Sequence, residues 1–262
     1  MTWFTGYQSD RLLSQWLLKA SQTPGVATSW FDQEKNLFTR QAELHLMIAE
    51  PAQLLVLSPA LNGDNQLRRW LQQSGPIELY IELQQHLFPG FTQGSAHINM
   101  RQGVFAERPD MPDIPHRFYW QVNGVTGDIV AGIEMAQWNW LRDELTWLVA
   151  PFNAEVTLAA DKQIDLSVLW QGMQWRNEQT EARGQLGKLL VNSQLTENDG
   201  LWLMPQANLL LEQLDLRQPD RQLQLTQWHW QTGVSENRDG LLSVVDVNSH
   251  SNVRHLSYRS QQ

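Results

Sequence analysis

Apolar and polar residues along this chain follow two different periods, and the change from one to the other comes early. Ser9 or Asp10 can cap a helix that runs to about Ser21. Within it Leu12, Trp16 and Ala20 stand four apart beside Leu13 and Leu17, giving one broad apolar face, while Arg11, Gln15 and Lys19 take the other. Thr23-Pro24-Gly25 stops the helix. With only two cations on its polar face, it is expected to dock its stripe on a sheet rather than lie on a membrane.

From Val26 onward the period is two. Val26, Thr28 and Trp30 alternate, a polar turn centres on Glu34-Lys35-Asn36, and a strand returns from Phe38 to Ile48. In that return Ala42, Leu44, Leu46 and Ile48 share one face and Glu43, His45 and Met47 the other, and Asn36 suits a turn position with positive φ. Gln66 to Gln73 reads as a short helix ended by Ser74-Gly75-Pro76. Further strands are expected at Ile77 to Leu83, Ser95 to Arg101, Phe118 to Val122 and Ile129 to Trp140. Others follow at Ala154 to Ala159, Ile164 to Trp170, Gly187 to Leu195, Gln222 to Gln231, Leu241 to Val247 and Val253 to Tyr258. Trp140 to Val149 reads as strand, turn and strand about Arg142-Asp143-Glu144. Turn signals at roughly ten- to fifteen-residue intervals mark an antiparallel meander.

The expected fold is therefore α+β and β-dominated: a large antiparallel twisted sheet of meandering hairpins with one or two short helices packed on it. One β-rich domain over 1–262 is expected, and the loop 107–115, with Pro109, Pro112 and Pro115, is the place where a subdivision would fall.

Composition narrows the class. Of the 262 residues, 42% are hydrophobic and only 18% charged, which excludes a disordered chain. A formal charge of -9 and a pI near 5.2 argue against nucleic acid as a partner. The absence of cysteine removes disulfides, thiolate catalysis and Cys-ligated metals. No apolar run approaches the roughly 18 residues of a membrane-spanning helix, and Met1 to Phe4 lacks the basic and apolar regions of a secretory signal.

Motifs for chemistry are sparse. The seven histidines (His45, His86, His97, His116, His229, His250 and His255) include no pair at the spacing that places two imidazoles on one metal. Gly184-Gln-Leu-Gly187-Lys188 resembles half a phosphate loop, but lacks the first glycine at the required distance and the hydroxyl residue after the lysine. There is no Gly-x-Ser-x-Gly elbow and no dinucleotide fingerprint. The expectation is a protein without catalytic residues, cofactor or metal. The one chemical excess is aromatic: thirteen tryptophans, among them two same-face pairs at strand spacing, Trp138 with Trp140 and Trp228 with Trp230, together with Trp170 and Trp175. Such rows either bury a sheet face against another layer or, left exposed, contact sugar rings or acyl chains.

Trp3-Phe4-Thr5-Gly6 with its following amphipathic helix resembles the opening of YdgA-like proteins of the bacterial envelope. Phe31, Asn36-Leu37-Phe38 and Thr39-Arg40-Gln41-Ala42 occupy the places of that family's aromatic strand, turn and following strand, with Asn36 where glycine is usual. His86-Leu87-Phe88-Pro89 is similar to its His-Gly-Pro-aromatic-Pro element, without the Gly-Pro, and the long loop within Ala96 to Asp128 follows its spacing. The resemblance covers the first half specifically and the second half only in texture. It implies a periplasm-facing protein tethered to the inner membrane by an N-terminal anchor that this chain lacks, and it assigns no catalytic residue. The expected role is a non-enzymatic interaction or scaffold module with an envelope protein partner or a second copy through sheet edges. The alternative is a lipid- or glycan-binding module whose contact residues are Trp138, Trp140, Trp228 and Trp230.

Overall fold

In the computed structural model, the described residues are 25–53, 65–73, 75–106, 112–198, 201–239 and 242–260, with positions scattered through 11–23. The positions described between Arg11 and Ser21 are helical, and Ser21 closes the helix by donating to the Leu18 carbonyl at 2.9 Å. Leu12, Leu13, Trp16 and Ala20 lie outside the described residues, as do Ser9, Asp10 and the Trp3-to-Gly6 motif. No described helix is long and apolar enough to cross a membrane. The chain divides into two compact units, Met1–Met111 with Asn123–Val125, and Pro112–Val122 with Thr126–Gln262.

The first unit is an antiparallel meander of β1 (Val26–Lys35), β2 (Thr39–Ile48), β3 (Ile77–Phe88) and β4 (Phe91–Ile98), with helix α1 (Asn65–Gln73) inserted between β2 and β3. The face predicted for β2 is the inner one: Ala42 and Leu44 are buried. Leu71 of α1 and Ile77 form a small core with Ile48, Leu79 and Val104 around them. The first turn falls at Asn36 to Phe38, later than the Glu34-Lys35-Asn36 centre predicted. Asn36 does not take positive φ there. Its Oδ1 instead accepts from the Phe38 and Thr39 amides at 2.9 and 2.7 Å, so the side chain does the work that a left-handed backbone would otherwise do. The strand expected from Ser95 begins earlier, at Phe91, and ends at Ile98.

The second unit is nearly all strand: β5 (His116–Asn123), β6 (Ile129–Met135), β7 (Trp138–Arg142), β8 (Leu145–Val149), β9 (Phe152–Leu158), β10 (Ile164–Trp170), β11 (Met173–Asn177), β12 (Arg183–Leu186), β13 (Leu189–Asn198), β14 (Leu201–Gln218), β15 (Arg221–Asp239) and β16 (Leu242–Ser260). All pairings are antiparallel. The strand–turn–strand reading of 140–149 holds, within β7 and β8, with Asp143 at φ 52 in the turn. The stretch read as two strands at 241–247 and 253–258 is the single strand β16, which carries its polar Ser249 to Asn252 segment within the ladder.

A crease crosses this unit. The segment predicted as one strand from Ile129 to Trp140 breaks at 136–137, and the breaks at 150–151, 171–172 and 187–188 face it and one another in unshifted register. Pro151 has no amide hydrogen to give the ladder, Gly172 takes φ +110 and Gln227 takes φ 50. Glu212 with Gln213 and Thr226 with Gln227 line one cavity of about 1180 Å³ on the crease, although consecutive strand residues ordinarily point to opposite faces. Alternation therefore slips by one at the crease. The slip explains why apolar positions on its two sides are three apart, as in Met135 and Trp138, Trp170 and Met173, or Leu211 and Leu214, yet return to the same face.

Candidate functional site

Directly opposite residues in neighbouring strands share a face. On β9, β10, β13, β14, β15 and β16 the register aligns Phe152, Trp170, Leu189, Leu211, Trp228 and Val253 in one row. At strand spacing this row is about 24 Å long. The next row is Ala154, Val168, Val191, Leu209 and Trp230, ending on Ser251. None of these positions is charged.

Among the described residues of the unit, the side chains of this face are only partly buried. Backbones that approach closely there are those of ladder neighbours. Burial is correspondingly shallow: of the two rows only Leu211 is buried, Val253 and Ser251 are exposed, and the rest are half-buried. No large described side chain in the molecule is less than 2% exposed.

The four tryptophans singled out from the sequence do not form one cluster. Trp228 and Trp230 lie on β15, opposite Leu211 and Leu209 of β14, with their indole N–H groups donating to Ser251 and Ser249 of β16 at 3.0 Å each. Trp138 and Trp140 lie across the crease on β7, with β8, β11, β12 and β14 between them and β15, a separation of about 24 Å by strand count. Trp140 stands directly opposite Trp147, whose ring centroid is 6.2 Å from that of Trp175 on the next strand. Trp147 escaped the sequence reading because no second tryptophan sits two residues from it. The indole nitrogens of Trp138, Trp147 and Trp170 are buried with no hydrogen-bond partner, while the residues as a whole are half-buried.

The opposite side of the same strands is polar beyond one row of leucines, Leu169, Leu190 and Leu210. Glu155, Thr157, Asp165, Asn192, Gln194 and Gln206 line a shallow cavity of about 400 Å³. Beside it Tyr119 donates to Glu155 at 2.7 Å, and burial, reinforced by that carboxylate, pushes the phenol up to about 12. Across the crease, Asp215 is buried and gripped by Arg217, with Nε–Oδ1 at 2.9 Å and Nη2–Oδ2 at 2.6 Å, which holds its carboxyl below the ordinary value. Among the described residues, no three histidine or carboxylate side chains converge as a metal would require.

Compared with known proteins, the chain matches no family model, no curated protein and no solved structure.

Proposed function

We propose that the chain is a non-enzymatic module of the bacterial envelope, facing the periplasm, that holds the acyl part of a lipid on the apolar face of its second unit. The observation that carries this reading is the charge-free face running across β9 to β16, which is only shallowly buried among the described residues. A contiguous apolar surface of this kind is a liability unless it has a partner.

The chemistry of the face favours hydrocarbon over sugar or protein. Glycan stacking needs a ring presented flat, and here the unpartnered indole N–H groups are buried while those of Trp228 and Trp230 are tied to serines. A protein interface carries roughly one hydrogen bond per 100–200 Å², and the two central rows offer almost no donors or acceptors for that. The periplasmic compartment and the membrane tether rest on the likeness of the N-terminal half to YdgA-like proteins. The scaffold reading keeps one observation in its favour: among the described residues β16, nineteen residues long, pairs only with β15, and its other edge could take a second copy or an envelope protein.

Native mass spectrometry of protein purified from membrane extracts tests the choice. The expected result is a lipid-mass adduct that disappears in the Leu209→Asp variant while its circular dichroism is unchanged. Adduct-free monomer, a sugar adduct, or a dimer without lipid would each contradict the acyl reading.

A further inference from the structure

We propose that the polar side of the second unit carries an oxyanion site, built from arginines at facing register positions of adjacent strands and suited to a phosphate-class dianion. It stands apart from the acyl-binding reading, since Arg176 and Arg183 follow and precede Trp175 and Gly184 and so point away from the apolar face.

The register makes the row. Arg176 of β11 is directly opposite Arg183 of β12, and Arg183 is directly opposite Arg217 of β14. Beyond β14 the row continues through Gln222 to the exposed Arg259 of β16. Facing residues have Cβ atoms about 4.5–5.5 Å apart, and like charges so placed destabilise a sheet. The hairpin through Glu178 to Ala182 imposes this on Arg176 and Arg183, its own register partners.

Compensation is incomplete. Arg176, Arg183 and Arg217 line one cavity of about 510 Å³ with Gln174, Gln185 and Asp215. Asp215 is the one carboxylate on that wall, and it is committed to Arg217 while also feeling the charge of Arg183. Among the residues that line this cavity, three guanidiniums stand against one carboxylate. No hydrogen bond or ion pair satisfies Arg176 or Arg183 among the described residues. A tetrahedral dianion fits this deficit. It accepts paired N–H bonds from two guanidinium forks, relieves their mutual repulsion, and finds neutral donors in the Gln174 and Gln185 amides. Asp215 keeps Arg217 aimed along the wall.

The same phosphate chemistry is offered by a soluble phosphate and by an anionic lipid headgroup, so the test has two arms. Titration calorimetry with sodium pyrophosphate at low ionic strength is run beside flotation with phosphatidylcholine vesicles containing or lacking phosphatidic acid, whose phosphomonoester is the lipid form of the dianion. Binding in either arm, weakened about tenfold or more by Arg176→Gln with Arg183→Gln, is expected; the arm that responds identifies the source. Both residues are exposed and mutually repelling, so the double variant is expected to melt no lower than the wild type in chloride buffer. The wild-type Tm should also rise with pyrophosphate and not with sodium chloride of equal ionic strength. No binding in either arm, undiminished binding by the double variant, or pyrophosphate binding without a pyrophosphate-specific rise in Tm would overturn the site. Loss of lipid adducts from the apolar face would leave these readouts untouched.

Discussion

The indole of Trp175 on β11 lies across Gly184, its directly opposite partner on β12, and leaves no room there for a Cβ. Tyr119 covers Gly132 in the same way on β5 and β6 and then reaches Glu155 on β9. An aromatic ring laid over a cross-strand glycine restores packing to a position that would otherwise weaken the sheet. Gly184→Ala should therefore lower stability by about 1–3 kcal/mol through overpacking. Gly75→Ala, with nothing near its Cβ position, should stay within about 0.5 kcal/mol of wild type. Urea midpoints measure both.

Tyr119 predicts a change at alkaline pH. Its phenol is raised to about 12 in the folded protein, from an ordinary 10.0, by burial first and the bond to Glu155 second. A raised value means that its contribution is fully present below pH 10 and is lost as pH climbs toward 12. Glu155→Gln should move the phenolate transition, followed by ultraviolet absorbance, downward but not fully to the ordinary value, since burial remains. An unchanged transition would contradict the contribution of Glu155, and a full return to the ordinary value would contradict that of burial.

At the acid end, Asp32 matters. It accepts from Arg40 Nε at 2.7 Å and Nη2 at 3.1 Å, and from the Trp30 indole at 2.7 Å, while Arg40 stacks over that indole at 4.8 Å. These donors hold the carboxyl below its ordinary 3.8 against the opposing effect of burial. Its stabilisation is thus present above pH 3.8 and is lost as pH falls through the lower folded value. Because Arg40 is 8% exposed, Asp32→Ala should cost about 1–3 kcal/mol at neutral pH, reduced from a fully buried pair by the solvent that reaches Asp32. Its acid unfolding limb, followed by circular dichroism, should also be flatter.

The crease depends on Gly172, whose φ of +110 and contact with the Leu186 carbonyl exclude a side chain. Gly172→Ala should destabilise by at least about 2 kcal/mol. Hydrogen exchange should show protection lost first at β10 and β11, which flank the residue.

Much of the sheet was legible in the sequence because its turns carry their own chemistry: Asp143 between β7 and β8, and Asp161 with Lys162 between β9 and β10. The crease was not, because a window scoring period two passes over a single slip; its traces were three-residue apolar spacings such as Met135 with Trp138 and Trp170 with Met173. Strand order was equally hidden. Trp138 with Trp140 and Trp228 with Trp230 were visible as pairs, but that four strands separate them depends on β14 taking β12 and β13 on one edge. The arginine row could have been found by counting outward from the 178–182 turn, which places Arg176 opposite Arg183. The pairing of Arg183 with Arg217 is long-range and leaves no local mark.

The most direct test of the central claim is quenching of tryptophan fluorescence by a fatty acid brominated along its chain, compared with the same fatty acid unbrominated. Trp170, Trp228 and Trp230 lie within the proposed contact rows, so saturable quenching by the brominated chain alone, abolished by Leu209→Asp, is the predicted result. Equal fluorescence with both fatty acids, or quenching that persists in Leu209→Asp, would contradict an acyl chain lying on this face.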